Sequence, residues 1–377
     1  MPYKIALLGK YPPLEGGIAA KTYWLARGLA AHGHEIHVIT NGISAGREYR
    51  IRGVDTEPTI TPNLWIHRIP DEVPWHIPED NEYALALLDL TINIIREHSI
   101  QILDTDYLIP YGIVGYLAKC STGVRHVIRH GGSDLEKFLK RHVLETLLHE
   151  AIAHADKIVT DTHYRDLLEP ITSRVVFQPA YIPDDSVFTP SDIFYPQYRL
   201  AVIGKINYHW QQRNLHLVAD IMRQLTGRFE CWVIGQGKGI ADFQQSLGPE
   251  TVASFKWYPF VAPWEMPQLL NQLDGIFIFE SGLPHPVVSN IALEAMNSGV
   301  GIMTDRADFA ETYRDIVEID KNQVITISPS ESSSAAEVIS QWVKGREHNM
   351  KSSHQLVSYQ EYLSANEAIY SGILSDQ

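Results

Sequence analysis

The chain has 377 residues, 45% hydrophobic and 20% charged, with a formal net charge of −14. That length suits two domains with substantial cores, and the acidic balance argues against a nucleic-acid binder, whose surface would be basic. No run of 18 apolar residues predicts a membrane span, and Cys120 and Cys231, the only cysteines, point to a reducing, cytoplasmic setting rather than a disulfide framework.

In chain order, Lys4 to Gly9 reads as a buried strand too short for a signal-peptide core. After the loop Lys10 to Gly17, Ile18, Thr22, Leu25 and Leu29 fall at helical spacing and Gly33 stops the helix; Glu35 to Thr40 is the next strand. This βαβ unit implies a parallel sheet. Further strands are expected at Leu64 to Arg68, Ile100 to Asp104, Arg125 to Arg129, Lys157 to Thr160 and Val175 to Gln178. The Pro- and Asp-rich stretch Pro179 to Asp185, with Pro190 and Pro196 behind it, reads as a linker. The alternation then restarts. Strands are expected at Leu200 to Gly204, Cys231 to Gly235, Val252 to Lys256, Gly275 to Phe279 and Gly301 to Thr304, with a helix from Leu215 to Leu225. Two doubly wound α/β domains follow, with ligands expected at the carboxyl ends of the strands, in a cleft where the two sheets face each other.

Four signals carry chemistry. Gly16-Gly17 precede a helix whose N-terminus favours an anion, although a bare helix-entry turn is the heavier reading for two glycines alone; the missing Gly-Lys-Ser/Thr excludes a P-loop. His130, at the end of a strand and before Gly131-Gly132, can hydrogen-bond a sugar hydroxyl or shuttle a proton, yet it is one of 17 histidines. The stretch Glu280 to Met296 runs from strand to loop to helix. Ser289 and Asn290 are helix caps whose neighbouring amides suit a diphosphate, and Glu294 is a carboxylate able to accept two bonds from a ribose diol or, on the plainer reading, a helix-surface charge. Lys205 and Arg213 flank one strand's carboxyl end, where two cations can neutralise a leaving diphosphate. Gly235-Gln236-Gly237-Lys238-Gly239 lacks the dinucleotide spacing, and no Gly-x-Ser-x-Gly or His-Glu-x-x-His occurs.

Taken in order along the chain, these pieces resemble the retaining glycosyltransferases of family 4. The likeness rests on Tyr11-Pro12-Pro13 through Gly17, Leu25 to Leu29, Gly33 to Thr40, Ile109-Pro110 to His130-Gly131, Ala155-Asp156, Pro183 to Pro190, Ile203-Gly204-Lys205 with Arg213, and Leu293-Glu294-Ala295-Met296 with Gly299. The resemblance implies a GT-B architecture of two Rossmann-like domains facing across a cleft. Residues 1–185, with a crossover helix at about 358–377, would bind the acceptor, and residues 190–357 the nucleotide-sugar donor. It implies that Lys205 and Arg213 grip the diphosphate with help from Gly16, Gly17 and the amides near Ser289 and Asn290. Glu294 would hold the ribose, His130 would contact the transferred sugar, and the base would lie near Trp257, Tyr258, Pro259 and Phe260.

Two departures stand out. Pro286 occupies the position of the family's first motif glutamate, which leaves His285 as a possible contributor to sugar recognition and sets Glu280 too far away in sequence to replace it. Lys21 stands where the family often has His or Tyr; it reads first as a solvated helix lysine and second as a charge for an anionic acceptor. The Asp104-Thr105-Asp106 run matches the DxD metal motif of the other glycosyltransferase architecture, but the two-domain layout disagrees with it. The resulting expectation is a retaining, metal-independent transferase needing no cofactor, acting on a small-molecule, glycan or lipid-linked acceptor. Its membrane association would be at most peripheral, through the basic segment Glu136 to His142. The rival readings are a non-catalytic nucleotide-sugar-binding relative and a nucleotide-sugar epimerase of the same architecture.

Overall fold

Continuous apolar runs, rather than alternating ones, mark strands covered on both faces, and Ile5 to Leu8 are all buried in this way. The computed structural model describes every residue except 1, 44–48, 52, 55–59, 72, 74–79, 131–133, 140–142, 192, 194, 208–209, 226, 284–287, 329–331, 347–353 and 376–377. It divides into one unit of Met1–Tyr181 with Tyr359–Gln377 and a second of Ile182–Ser358.

The first unit contains β1 (Lys4–Leu8), α1 (Gly17–Ala31), β2 (Glu35–Thr40), β3 (Leu64–Arg68), α2 (Asn81–His98), β4 (Ile102–Asp106), α3 (Ile113–Thr122), β5 (Arg125–Arg129), α4 (Asp134–Leu139), α5 (Glu145–His154), β6 (Lys157–Thr160), α6 (Arg165–Leu168) and β7 (Val175–Phe177). Its sheet is parallel throughout, in the order β3-β2-β1-β4-β5-β6-β7. The second unit contains β8 (Tyr198–Ile203), α7 (Leu215–Gln224), β9 (Phe229–Ile234), α8 (Ile240–Leu247), α9 (Pro249–Ser254), β10 (Phe255–Tyr258), α10 (Met266–Leu270), β11 (Gly275–Ile278), α11 (Asn290–Asn297), β12 (Gly301–Thr304), α12 (Phe309–Tyr313), β13 (Val317–Glu318), β14 (Val324–Thr326), α13 (Ser332–Arg346) and β15 (His354–Gln355). Its main sheet is also parallel, in the order β10-β9-β8-β11-β12-β14. Both sheets reverse direction of growth beside their first strand, the Rossmann pattern that opens a ligand crevice at the strands' carboxyl ends. A last helix, α14 (Tyr359–Ser375), packs on the first unit.

Several strand ends differ from expectation by one to three residues. Strands β8 and β9 each start two residues earlier, β4 runs on to Asp106 and β10 to Tyr258, and two of the shifted starts have a clear local cause. Ile100 and Gln101 belong to the turn that follows Ser99, the left-handed C-cap of α2, so β4 starts two residues later than its apolar run suggests. Val252 is helical: Gly248-Pro249 starts α9, with proline preset for a helical first turn and Glu250 complementing the dipole, and β10 begins only at Phe255.

Helix α14 is fixed to the first unit by a buried charge network. Arg129 (side chain 3% exposed) forms a two-pronged bond to Asp104 (2% exposed), with Nη2 to Oδ2 at 2.8 Å and Nε to Oδ1 at 2.9 Å. The same Nη2 donates to Asn366 Oδ1, and Tyr370 Oη donates to Asp104 Oδ2 at 2.7 Å. Burial opposes the charge on Arg129, but Asp104 and its tyrosine neighbours hold the guanidinium well above its ordinary range. Next to this pair, Lys21 Nζ lies 2.7 Å from Asp106 Oδ2. Lys21 is therefore not the solvated helix lysine read from sequence, nor a charge offered to an acceptor; it is spent on a buried partner. Burial nevertheless pushes the Asp106 carboxyl up, against the pull of Lys21. The Asp104-Thr105-Asp106 run is thus a strand segment whose carboxylates face Arg129 and Lys21.

Buried His126 gives the fold an acid-side weakness. Its Nε2 meets Thr105 Oγ1 at 3.0 Å, Nδ1 has no partner, and burial lowers its pKa from 6.5 to about 3. The folded state keeps the ring neutral while the unfolded state protonates it, so stability is full above pH 6.5 and falls as pH drops toward the folded value. This ring alone is expected to remove up to about 1.4 kcal/mol per pH unit in that window. In urea unfolding at pH 6.5 and 5, the His126→Leu variant should show a shallower pH slope; an unchanged slope would refute the assignment.

Candidate active site

The crevice of the second unit is built from loops that follow β8, β11 and β12. Gly204 follows β8 with φ 138°, a backbone conformation that suits glycine, and Lys205 comes next. A side chain at Gly204 would come within 3.7 Å of Arg213 Nη1, so the guanidinium lies close to this turn. Arg213 closes the short 3₁₀ turn Trp210–Arg213, and Asn214 takes a left-handed conformation at the N-cap of α7. Among the described residues Arg213 makes no hydrogen bond or ion pair, whereas Arg306 is held by Asp308, with Nε to Oδ1 at 2.8 Å.

Asp305, buried after β12, ties these loops together. Its Oδ1 accepts from the amides of Glu280 (2.7 Å) and Ser281 (3.0 Å), and its Oδ2 accepts from Ser281 Oγ (2.7 Å) and Asn214 Nδ2 (2.7 Å). The turn bearing Arg213 is thereby fixed to the loop after β11. Burial pushes the Glu280 carboxyl up, while the charges of Arg213 and Arg306 pull it down, so Glu280 belongs to this electrostatic neighbourhood. Sequence spacing had set Glu280 aside. Asp305, Asn214 and Arg306 were also missed, although Asp305 and Arg306 directly follow a strand, the position from which Rossmann-like sheets present ligand groups.

Helix α11 starts beside this loop. Ser289 is its N-cap, but its side chain makes no capping bond; its amide donates to Tyr313 Oη at 2.8 Å. Asn290 is the first helical residue. Glu294 is 4% exposed, which overturns the reading of it as a helix-surface charge. His285 and Pro286 lie outside the described residues. Tyr258 and Pro259 are exposed at the carboxyl end of β10, with the Tyr258 ring 4.8 Å from Trp232. Trp257 and Tyr258 lie within the strand rather than after it, and the Trp257 indole packs on the core and donates to Val252 O at 3.0 Å. The Gly235 to Gly239 run serves close packing: a side chain at Gly235 would stand 2.1 Å from Gly204 O.

The first unit holds the remaining candidates. Gly16 (φ 105°) is the N-cap of α1 and Gly17 its first residue, with no side chain capping that end. His130 follows β5 and is buried. Its Nε2 meets Thr160 Oγ1 at 2.6 Å, its Nδ1 lies 3.4 Å from Asp134 Oδ1, and its ring stands edge-on to Tyr164. Both ring nitrogens thus face protein partners. In the basic segment, residues 140–142 and the side chains of 136 and 137 lie outside the description. Among the described residues no helix is long and apolar enough to cross a membrane.

Residues 16–167 match the family described as glycosyl transferase 4-like domain. The matched stretch lies within the first unit. Over 153 residues the chain is 28% identical to N-acetyl-alpha-D-glucosaminyl L-malate synthase of Bacillus anthracis, a match covering 40% of this chain and 37% of that protein. Sucrose-phosphate synthase from Thermosynechococcus elongatus superposes with a TM-score of 0.70 at 10% identity, covering 99% of this chain and all of that one. Anabaena HepE in complex with UDP-glucose gives 0.62 at 13% identity, covering 99% of each chain. With two Rossmann-like parallel sheets, the chain has the GT-B fold of these glycosyltransferase structures.

Proposed function

We propose that the chain is a glycosyltransferase that moves a sugar from a nucleotide diphosphate sugar to an acceptor hydroxyl with retention at the anomeric carbon. The observation that carries this reading is the grouping, at the carboxyl ends of β8 and β11, of Lys205, an Arg213 with no described hydrogen-bond partner, and the N-terminus of α11, with Glu294 buried in that helix. Two cations and a helix dipole suit a leaving diphosphate, and a buried carboxylate suits a ribose diol. The matched domain and the UDP-glucose complex of a chain with the same fold support the same donor class.

In this mechanism the acceptor oxygen attacks on the face from which the diphosphate departs. The C–O bond to phosphate breaks through an oxocarbenium-like state, the new C–O bond forms on that face, and the departing phosphate takes the acceptor's proton. Lys205 and Arg213 carry the charge that a metal carries elsewhere, so turnover is independent of divalent cations.

A panel of UDP-, ADP- and GDP-sugars tests this by thermal shift and by release of free nucleotide diphosphate, with and without EDTA. One donor is expected to stabilise the protein and to release its diphosphate in either condition. Glu294→Gln is expected to weaken binding of that diphosphate about 10- to 100-fold, the effect of losing a charge-assisted hydrogen bond. Binding without release under any acceptor would favour a non-catalytic relative. Conversion of the donor into a different nucleotide sugar without acceptor would favour an epimerase, and loss of turnover in EDTA would overturn metal independence.

A further inference from the structure

Three histidines spaced 30 and 31 residues apart in sequence meet on one flank of the first sheet. His37 is in β2, His67 in the edge strand β3, and His98 is the last residue of α2. One ring nitrogen from each lies within 4.8 Å of the other two. His37 Nδ1 and His67 Nε2 are 2.8 Å apart, and the His98 ring centroid is 4.2 Å from that of His37. The parallel register explains the meeting. His37 pairs with Trp65 and Ile39 with His67, so His67 is the diagonal neighbour of His37 on the same face, and the end of α2 brings in the third ring.

We propose that His37, His67 and His98 form a binding site for a divalent transition metal of the zinc class. Imidazole is the ligand type such ions prefer, and three histidines leave a fourth position for water or another ligand. The surroundings match a metal site beyond the three ligands. Glu35 Oε1 lies 3.2 Å from His37 Nε2, the nitrogen turned away from the cluster, and is itself paired to Lys4 Nζ at 3.1 Å. A carboxylate on the far nitrogen of a ligating histidine orients the ring and raises its basicity. His98 ends an α-helix of 18 residues, so the negative end of the helix dipole favours a cation here. The Trp65 ring stacks on His37 at 5.1 Å, while His67 and His98 are only partly buried and leave a path from solvent. With Zn–N bonds of about 2.0–2.1 Å, tetrahedral nitrogens sit about 3.3 Å apart, so the His37–His67 contact opens slightly and His98 closes in by side-chain rotation.

None of the three residues lies in the loops that follow the carboxyl ends of the strands, so the site is a structural or regulatory one. The inference is independent of the transferase reading. The test is titration of untagged, EDTA-stripped protein with Zn²⁺ by calorimetry and with Co²⁺ by visible absorption. One equivalent is expected to bind, with the intense d–d bands of a four-coordinate Co²⁺ site, and Zn²⁺ is expected to raise the melting temperature. Single variants His67→Gln and His98→Gln are each expected to weaken binding at least tenfold and to abolish the bands, and Glu35→Gln to weaken it while preserving them. Circular dichroism checks that each variant is folded; His98 at the helix end is the safer substitution. Absence of stoichiometric binding by the wild-type protein, or binding that both single variants retain in full, would overturn the proposal.

Discussion

An Arg213→Ala variant is expected to lose about 100- to 1,000-fold in kcat while keeping its fold, the scale seen when one preorganised charge-stabilising donor is removed. Among the described residues of the second unit, Arg213 is well placed to act on a ligand: it lies near the Gly204 turn, its neighbour Asn214 is tied to Asp305, and it makes no hydrogen bond to the described protein. Its Coulombic effect on Glu280 shows that its charge is felt in this crevice. Removing Lys205 is expected to cost a similar factor, and the double variant less than the product, since the two cations act on one leaving group. Arg213→Lys should recover only part of the loss, because the charge returns without the planar fork. Arg306→Ala serves as a control with a smaller effect, its guanidinium being committed to Asp308. Single-turnover rates with the donor that the nucleotide-sugar panel selects are the readout. Full activity in Arg213→Ala would remove the carrying observation from the transferase reading.

The largest effect on stability is expected from Arg129→Leu. It strips the partner from Asp104, whose side chain is only 2% exposed, and breaking a buried pair on one side costs about 3–5 kcal/mol. It also removes the Arg129 bond to Asn366, so α14 should loosen and become the first segment cut in limited proteolysis. The exposed Arg314–Glu311 pair offers the contrast: its side chains are 64% and 70% exposed, and its removal should leave the urea midpoint within error. If Arg129→Leu unfolded at the wild-type urea midpoint, or if α14 stayed protected, the network would not be what fixes the helix. A double variant, Arg129→Leu with Asp104→Leu, is expected to recover part of the loss, because no lone buried charge then remains.

Much of the architecture is legible in the sequence because parallel strands covered on both faces are rich in consecutive apolar residues; β1, β2, β5 and β6 are of this kind, whereas the edge strand β3 is only half-buried. Two of the boundary errors came from local chemistry that outweighed hydrophobicity. Ser99 turned left-handed ahead of Ile100, and Pro249 opened a helix where Val252 read as strand. Candidate site residues with a motif behind them could be named from sequence, but their surroundings could not. Lys21 and Asp106 stand 85 residues apart and meet only because β1 pairs with β4 and α1 follows β1. Asp305 gathers four hydrogen bonds from Asn214, Glu280 and Ser281, and nothing in its own neighbourhood in sequence announces that role. The three histidines were invisible for the same reason: strand register and a helix end, not spacing, bring them together.

Helix α14 completes the first unit only after the whole of Ile182–Ser358 has intervened. During synthesis the amino-terminal half therefore emerges with Arg129 and Asp104 before Asn366 and Tyr370, the residues that bond to them from α14, have been made. The second unit, an uninterrupted stretch of chain, can complete itself during synthesis, while the part made first must wait for the part made last. The order of completion is inverted relative to the order of translation, and the interval between them is when the first unit depends most on chaperones or on a slow emerging chain.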